Sequence, residues 1–240
     1  MKVKFLSALL ILSFSLLLSS IPLAYVEAHN PMASPITCYS AVNPVTIDGK
    51  WTASDEWSDA SETGMAAVFG PGERAGVRIQ WFGNGTAYTR TKHDDKFLYV
   101  LVDFVTAKDI FNKTSGWGDF AHIHLDVKHE GGKTLKPDTL FIHIMWTSPG
   151  YNRLFVYKWV DDKWVLMETP KDCEGKSSLD ATNDPYSTSP HAIYESKIPK
   201  EIFGKSKTIG LHVGCADFST ENVLMLWPPK MAGWRIPDSW

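Results

Sequence analysis

Apolar and polar positions alternate most strictly over residues 119–126, which read Asp-Phe-Ala-His-Ile-His-Leu-Asp. Ala121, Ile123 and Leu125 share one side of this stretch, and Phe120, His122, His124 and Asp126 share the other. A period of two predicts a strand with one face in an apolar core. A second strand is predicted over residues 139–146, after a connection holding Gly131, Gly132 and Pro137. Pairing Asp126 with Thr139 places His122 opposite His143 and Phe120 opposite Met145. Aromatic and imidazole side chains then gather on the face turned away from the core.

The rest of the chain repeats the pattern in short runs. Strands are predicted over 45–49, 76–82, 86–93, 96–105, 153–160, 163–167, 192–198, 208–217 and 223–227. Residues 96–105 are apolar on both sides, which predicts a central strand. Gly83-Asn84-Gly85 reads as a hairpin turn, and 169–190 as a long polar surface loop. Ser54-Asp55-Glu56 reads as a capped helical turn, and Pro199 to Gly204 as one short helix. About ten antiparallel strands with one short helix predict an all-β protein, a β-sandwich of jelly-roll type.

Residues 1–28 stand apart from this pattern. Lys2 and Lys4 precede an apolar run over 5–18, and Val26-Glu27-Ala28 offers small-residue cleavage. This predicts a signal peptide cut after Ala28 and a secreted or cell-surface mature chain. An uncleaved anchor has the same features, since 5–26 is long enough to span a bilayer. No later stretch is long and apolar enough to span. Residues 29–44 read as an extended lead-in, and 45–240 as one sandwich domain.

Charge and cysteine content narrow the partners. The chain has 24 basic and 27 acidic residues with no basic run, which argues against nucleic acid. Three cysteines, Cys38, Cys173 and Cys215, match no metal motif. Outside the cell, two of them can form a disulfide and leave one over, and the sequence does not choose the pair. Cys215 sits in a predicted buried strand and reads as a free thiol. Asn84-Gly85-Thr86 and Asn112-Lys113-Thr114 are glycosylation sequons.

Several motifs occur here in a familiar order. They are Thr46-Ile47-Asp48-Gly49, Glu56-Trp57, Phe97-Leu98-Tyr99-Val100, residues 119–126, Tyr194-Glu195-Ser196-Lys197-Ile198-Pro199, and Ile209-Gly210-Leu211 with Asp217. In that order the chain resembles family 9 carbohydrate-binding modules over nearly its whole mature length. The resemblance implies a β-sandwich that binds a sugar without hydrolysing it, often with structural calcium. It also implies a pair of tryptophans gripping the sugar, here Trp117 and Trp234, with Arg235 beside the second. A pyranose presents a C–H face that packs on an indole, while its hydroxyls need polar partners at the edges. Where the family carries such partners, this chain has His122, His143, His212 and Gly214, so the fold carries over better than the ligand. The two tryptophans have an alternative reading as cover for a core edge.

The histidines admit two readings. His122, His143 and His212, with His124 as a fourth, are candidate ligands for zinc or copper. The alternative is a set of neutral hydrogen-bonding groups at a modified sugar groove. His29, as a mature amino terminus, is a weaker copper candidate. His93, His129 and His191 read as turn or loop residues. Trp51, Trp57, Trp81 and Trp146 read as packing residues. Asp48, Asp119 and Asp126 are candidate oxygen ligands for calcium. Glu195 and Asp217 offer no catalytic constellation, so a binding protein is expected rather than an enzyme. Related sandwich domains in electron-transfer systems hold haem through Met and Lys, for which Lys230 and Met231 are the candidates.

Overall fold

The computed structural model describes residues 35–68, 70–74, 77–81, 84–109, 119–148, 151–218, 223–228 and 237. Among these the regular secondary structure is almost entirely strand. The strands are β1 (Tyr39–Ser40), β2 (Ser61–Gly64), β3 (Ala66–Val68), β4 (Gly70–Arg74), β5 (Val77–Trp81), β6 (Tyr88–His93), β7 (Phe97–Phe104) and β8 (Phe120–Asp126). They continue with β9 (Thr139–Ser148), β10 (Tyr151–Val160), β11 (Lys163–Met167), β12 (Glu174–Asp180), β13 (His191–Pro199), β14 (Gly210–Asp217) and β15 (Val223–Trp227). A single 3-10 turn, Lys200–Phe203, stands where the short helix is predicted.

Two sheets face each other. The first runs β1-β6-β7-β13-β12, with β2 sharing the β6 edge beside β1. The second runs β11-β10-β9-β8-β14-β15-β3, and β4 and β5 form a separate ribbon. All pairings are antiparallel except β1 with β6. Between the sheets lie Val100, Val102 and Tyr194 from the first and Ala121, Ile123, Leu125, Ile142, Ile144 and Val213 from the second. Ala121, Ile123 and Leu125 are the core-facing positions that the alternation predicts. β7 lies mid-sheet and buries both faces, as its two-sided apolarity requires.

The first sheet's outer face is also covered. Trp51 and Trp57 are buried there against Tyr99, Leu101 and Ile193. Burying an indole of about 150–250 Å² is worth about 4–6 kcal/mol as an upper bound. The segment carrying them, 45–49 included, joins no sheet and runs through bends at 48–50 and turns at 54–59. Its N–H groups go to carboxylates instead. Thr46 N donates to Glu56 Oε1 at 2.7 Å, and Asp48 N and Gly49 N donate to Glu195 Oε2 at 3.0 and 2.8 Å. The predicted helical turn at 54–56 is a plain turn.

Three further expectations change. The predicted loop over 169–190 contains β12, an edge strand paired with β13, whose polar sequence hides its alternation. Asn84-Gly85 closes no hairpin, because β5 pairs with β4 while β6 joins the first sheet. Gly85 instead lies tight against β15, where a Cβ would meet Val223 Cγ1 at 2.9 Å. Cys38, Cys173 and Cys215 are all free thiols, with Cys173 and Cys215 buried.

Candidate functional site

The second sheet's outer face carries the chain's densest chemistry. Its β8–β9 register is the predicted one, with His122 opposite His143 and Phe120 opposite Met145. On the other side β14 places His212 opposite His124 and Gly214 opposite His122. Strand parity therefore delivers Phe120, His122 and His124 from β8, Phe141 and His143 from β9, and His212 from β14 to one surface. On β10 the same parity places Arg153, Phe155 and Tyr157 there, through pairing with Met145, His143 and Phe141.

The rings form a layer. His212 stacks on His124 at 5.1 Å between centroids and 12° between planes. His124 stacks on Phe141 at 4.6 Å, and Phe141 on Tyr157 at 5.4 Å. Trp164 of β11 reaches in against His124 at 5.6 Å. The layer is graded in exposure. His122, His124 and His212 are buried, while Phe141, His143, Phe155, Tyr157 and Trp164 are half-buried and Arg153 is exposed.

Within the buried part, His122 Nε2 and His212 Nε2 lie 3.1 Å apart. His212 Nδ1 lies 3.0 Å from the Trp227 carbonyl, so Nδ1–H donates there and Nε2 keeps its lone pair. Gly214 makes this contact possible. A Cβ on it would meet His122 Cε1 at 2.6 Å and Leu226 Cδ2 at 2.8 Å. With no side chain opposite, the His122 ring lies across the β14 backbone and reaches His212 on the diagonal. Burial and the neighbouring imidazoles hold His122 and His124 well below the ordinary histidine range. Burial lowers His212 to about 4, against the pull of the Trp227 carbonyl. All three rings are neutral at pH 7.

His143 is the expected ligand that does not join this group. His122, His124 and His212 have ligand atoms all within 4.8 Å of one another, and His143 is not among them. Its ring packs edge-on to Phe120 at 4.5 Å and against Phe141 at 5.3 Å. Trp117, Trp234 and Arg235, the expected sugar clamp, lie outside the described residues, as do Lys230 and Met231. Arg153, Phe155 and Tyr157 were not anticipated, although Arg-x-Phe-x-Tyr-x-Trp over 153–159 is a plain period-two signal.

The three aspartates named as calcium candidates do not come together. Asp119 Oδ1 accepts Phe218 N at 2.7 Å, Asp126 Oδ2 accepts Gly131 N at 2.8 Å, and Asp48 Oδ2 accepts the Thr52 hydroxyl at 2.8 Å. The three carboxylates serve separate loops, and none belongs to a metal-capable group among the described residues. Glu195 and Asp217 do not form a catalytic pair either. Glu195 faces outward from the first sheet and also accepts Trp57 Nε1 at 2.9 Å, whereas Asp217 ends β14 in the second. Away from this face, a cavity of about 790 Å³ is bordered by Ile36, Cys38, His93, Phe203, Leu211 and Trp227.

The fold as a whole is similar to solved family 9 carbohydrate-binding modules from Caldicellulosiruptor kristjanssonii. One, in complex with cellotriose, matches with a TM-score of 0.51 and 15% identity over 85% of this chain and 90% of that one. A second, in complex with glucose, matches with a TM-score of 0.51 and 15% identity over 84% and 91%. The crystal structure of a candidate carbohydrate-binding protein from Bacteroides uniformis matches with a TM-score of 0.50 and 10% identity over 85% and 95%. No protein-family model matches the chain, and neither does any curated protein. At such identities the likeness establishes the fold: this chain folds as a family 9 carbohydrate-binding module does.

Proposed function

We propose that this protein is a secreted, non-catalytic carbohydrate-binding module whose sugar lies on the outer face of the second sheet. The observation that carries the reading is the match of 85% of the chain to a module solved with cellotriose. The half-buried rings of Phe141, Phe155, Tyr157 and Trp164 supply apolar faces of the kind a pyranose packs on, and exposed Arg153 supplies an edge donor. The resemblance assigns the sugar-gripping tryptophans to Trp117 and Trp234, which lie outside the described residues. The buried histidines lie beneath this surface as support for it.

Binding to a panel of soluble oligosaccharides, cello-oligosaccharides included, tests the reading by calorimetry. Trp117→Ala and Trp234→Ala are each expected to weaken binding by about 30-fold, the size of a buried aromatic hot spot near 2 kcal/mol. Unchanged binding in both folded variants, or no binding to any glycan by the native protein, removes the proposal.

Export is part of the same proposal and rests on the Lys2 and Lys4, 5–18 and Ala28 pattern. Amino-terminal sequencing of the native protein is expected to begin at His29. An intact Met1 in a membrane fraction would establish an anchor instead.

A further inference from the structure

We propose that His122, His124 and His212 form a buried site for one zinc or copper ion, held through imidazole nitrogens at the centre of the second sheet's outer face. The inference stands independently of the sugar reading, because it rests on the buried part of the layer alone.

Geometry carries it first. The three rings offer ligand atoms within 4.8 Å of one another, and the His122 and His212 Nε2 atoms are already 3.1 Å apart. An ion with bonds of about 2.0–2.1 Å keeps its nitrogens roughly 3.3–3.6 Å apart in tetrahedral or trigonal geometry. The His122–His212 pair therefore needs to open by only a few tenths of an ångström, and His124 needs to move in by about 1 Å.

The surroundings are those of a metal site. Metal-bound histidines commonly donate their other ring N–H to a carbonyl, which fixes tautomer and orientation. The Trp227 carbonyl does this for His212. Gly214 leaves the space in which the His122 ring sits. Phe120, Phe141 and Trp164 pack against the rings and form an apolar wall around them.

The donor set also selects the ion. Imidazole nitrogen suits zinc and copper, whereas calcium and magnesium need oxygen ligands that this trio lacks. His143 faces the Phe120 side of the layer and is not a ligand.

The experiment uses untagged, metal-stripped mature protein, dialysed after exposure to zinc or, under reducing anaerobic conditions, to copper. Elemental analysis is expected to find one equivalent of at least one of the two metals per chain. X-ray absorption of the loaded native protein is expected to show nitrogen neighbours at about 2.0–2.1 Å with the outer-shell pattern of imidazole. His122→Asn and His212→Asn should each lower retained metal at least tenfold, while His143→Asn retains the full equivalent. Metal-free melting curves establish that the variants fold, and the absorption spectrum needs no variant at all. Absence of retained metal in the native protein overturns the site. So does an oxygen-only shell, or full retention by folded His122→Asn and His212→Asn.

Discussion

Lys92→Met is expected to lower the unfolding free energy by about 3–5 kcal/mol, the range found when one partner of a buried ion pair is removed. Lys92 lies near the end of β6, between Tyr39 of β1 and Tyr99 of β7, and its side chain is fully buried. A lysine in that position is tolerable only if every donor finds an acceptor. Its Nζ donates to Asp59 Oδ1 at 2.7 Å, to the Asn43 carbonyl at 2.9 Å and to the Glu56 carbonyl. Asp59 in turn accepts Val42 N and Asn43 N through Oδ2, and these hydrogen bonds with the Lys92 charge outweigh its desolvation and lower its pKa. One ammonium thus fastens both ends of the segment that lays Trp51 and Trp57 over the first sheet. Methionine keeps the stem's length and apolar packing, so the measured loss isolates the charge and its three acceptors. Denaturant melts of the two proteins decide it. A variant within about 0.5 kcal/mol of the native chain would put Lys92 among ordinary surface residues.

How far such features are legible in sequence depends on whether the partners are local. The β8–β9 register follows from sequence because a period of two with one buried face tolerates no slip: moving by one residue would carry Ile123 and Leu125 out of the core. The placement of His212 beside His124 follows less directly, since β14 lies about 90 residues on and its register rests on the same parity. Gly214 reads in sequence only as a missing polar partner, because the space it opens exists only once β8 lies beside it.

The first sheet's outer face was illegible for a different reason. Lys92, Asp103 and Glu195 are polar positions within predicted strands, and nothing local marks them as buried. They are buried because the tryptophan segment folds over them, with contacts such as Gly49 N to Glu195 spanning 146 residues. His191, which reads as a loop residue, is buried at the start of β13. β12 was missed because an edge strand needs few apolar side chains: Gly175 and Ser177 fill its buried positions. The face proposed to hold sugar divides likewise. Its histidines announce themselves by alternation, while Arg153, Phe155 and Tyr157 gain meaning only when β10 pairs with β9.

Stability is expected to fall as pH rises above about 6.5, and the part of that fall due to His191 is expected to vanish in His191→Gln. His191 is fully buried, with Nε2 at 2.7 Å from Asp103 Oδ1 and 2.9 Å from Asp184 Oδ2. Its Nδ1 lies 2.8 Å from the Ser189 carbonyl, so both ring nitrogens face acceptors, as an imidazolium requires. Trp51 Nε1 donates to the other Asp103 oxygen at 3.0 Å, which ties the cluster to the covering segment. Burial alone would lower the His191 pKa. The hydrogen bonds to Asp103 and Ser189 and the charges of Asp103 and Asp184 outweigh it, and the net shift is upward. A histidine raised in the folded state binds its proton more tightly there than when unfolded. Its contribution is complete below the unfolded value near 6.5 and is lost as pH climbs through the higher folded value. Glu195 works in the same direction, since burial pushes it up to about 8 against three N–H donors. Each group lowers stability by at most about 1.4 kcal/mol per pH unit while pH lies between its two values. Glu195 is common to both proteins, so the difference between native and His191→Gln melts isolates the imidazolium. That difference should be about 3–5 kcal/mol near pH 6 and shrink toward pH 9. A gap that stays constant across this range would mean that His191 is neutral in the fold and that Asp103 and Asp184 are held by something other than its charge.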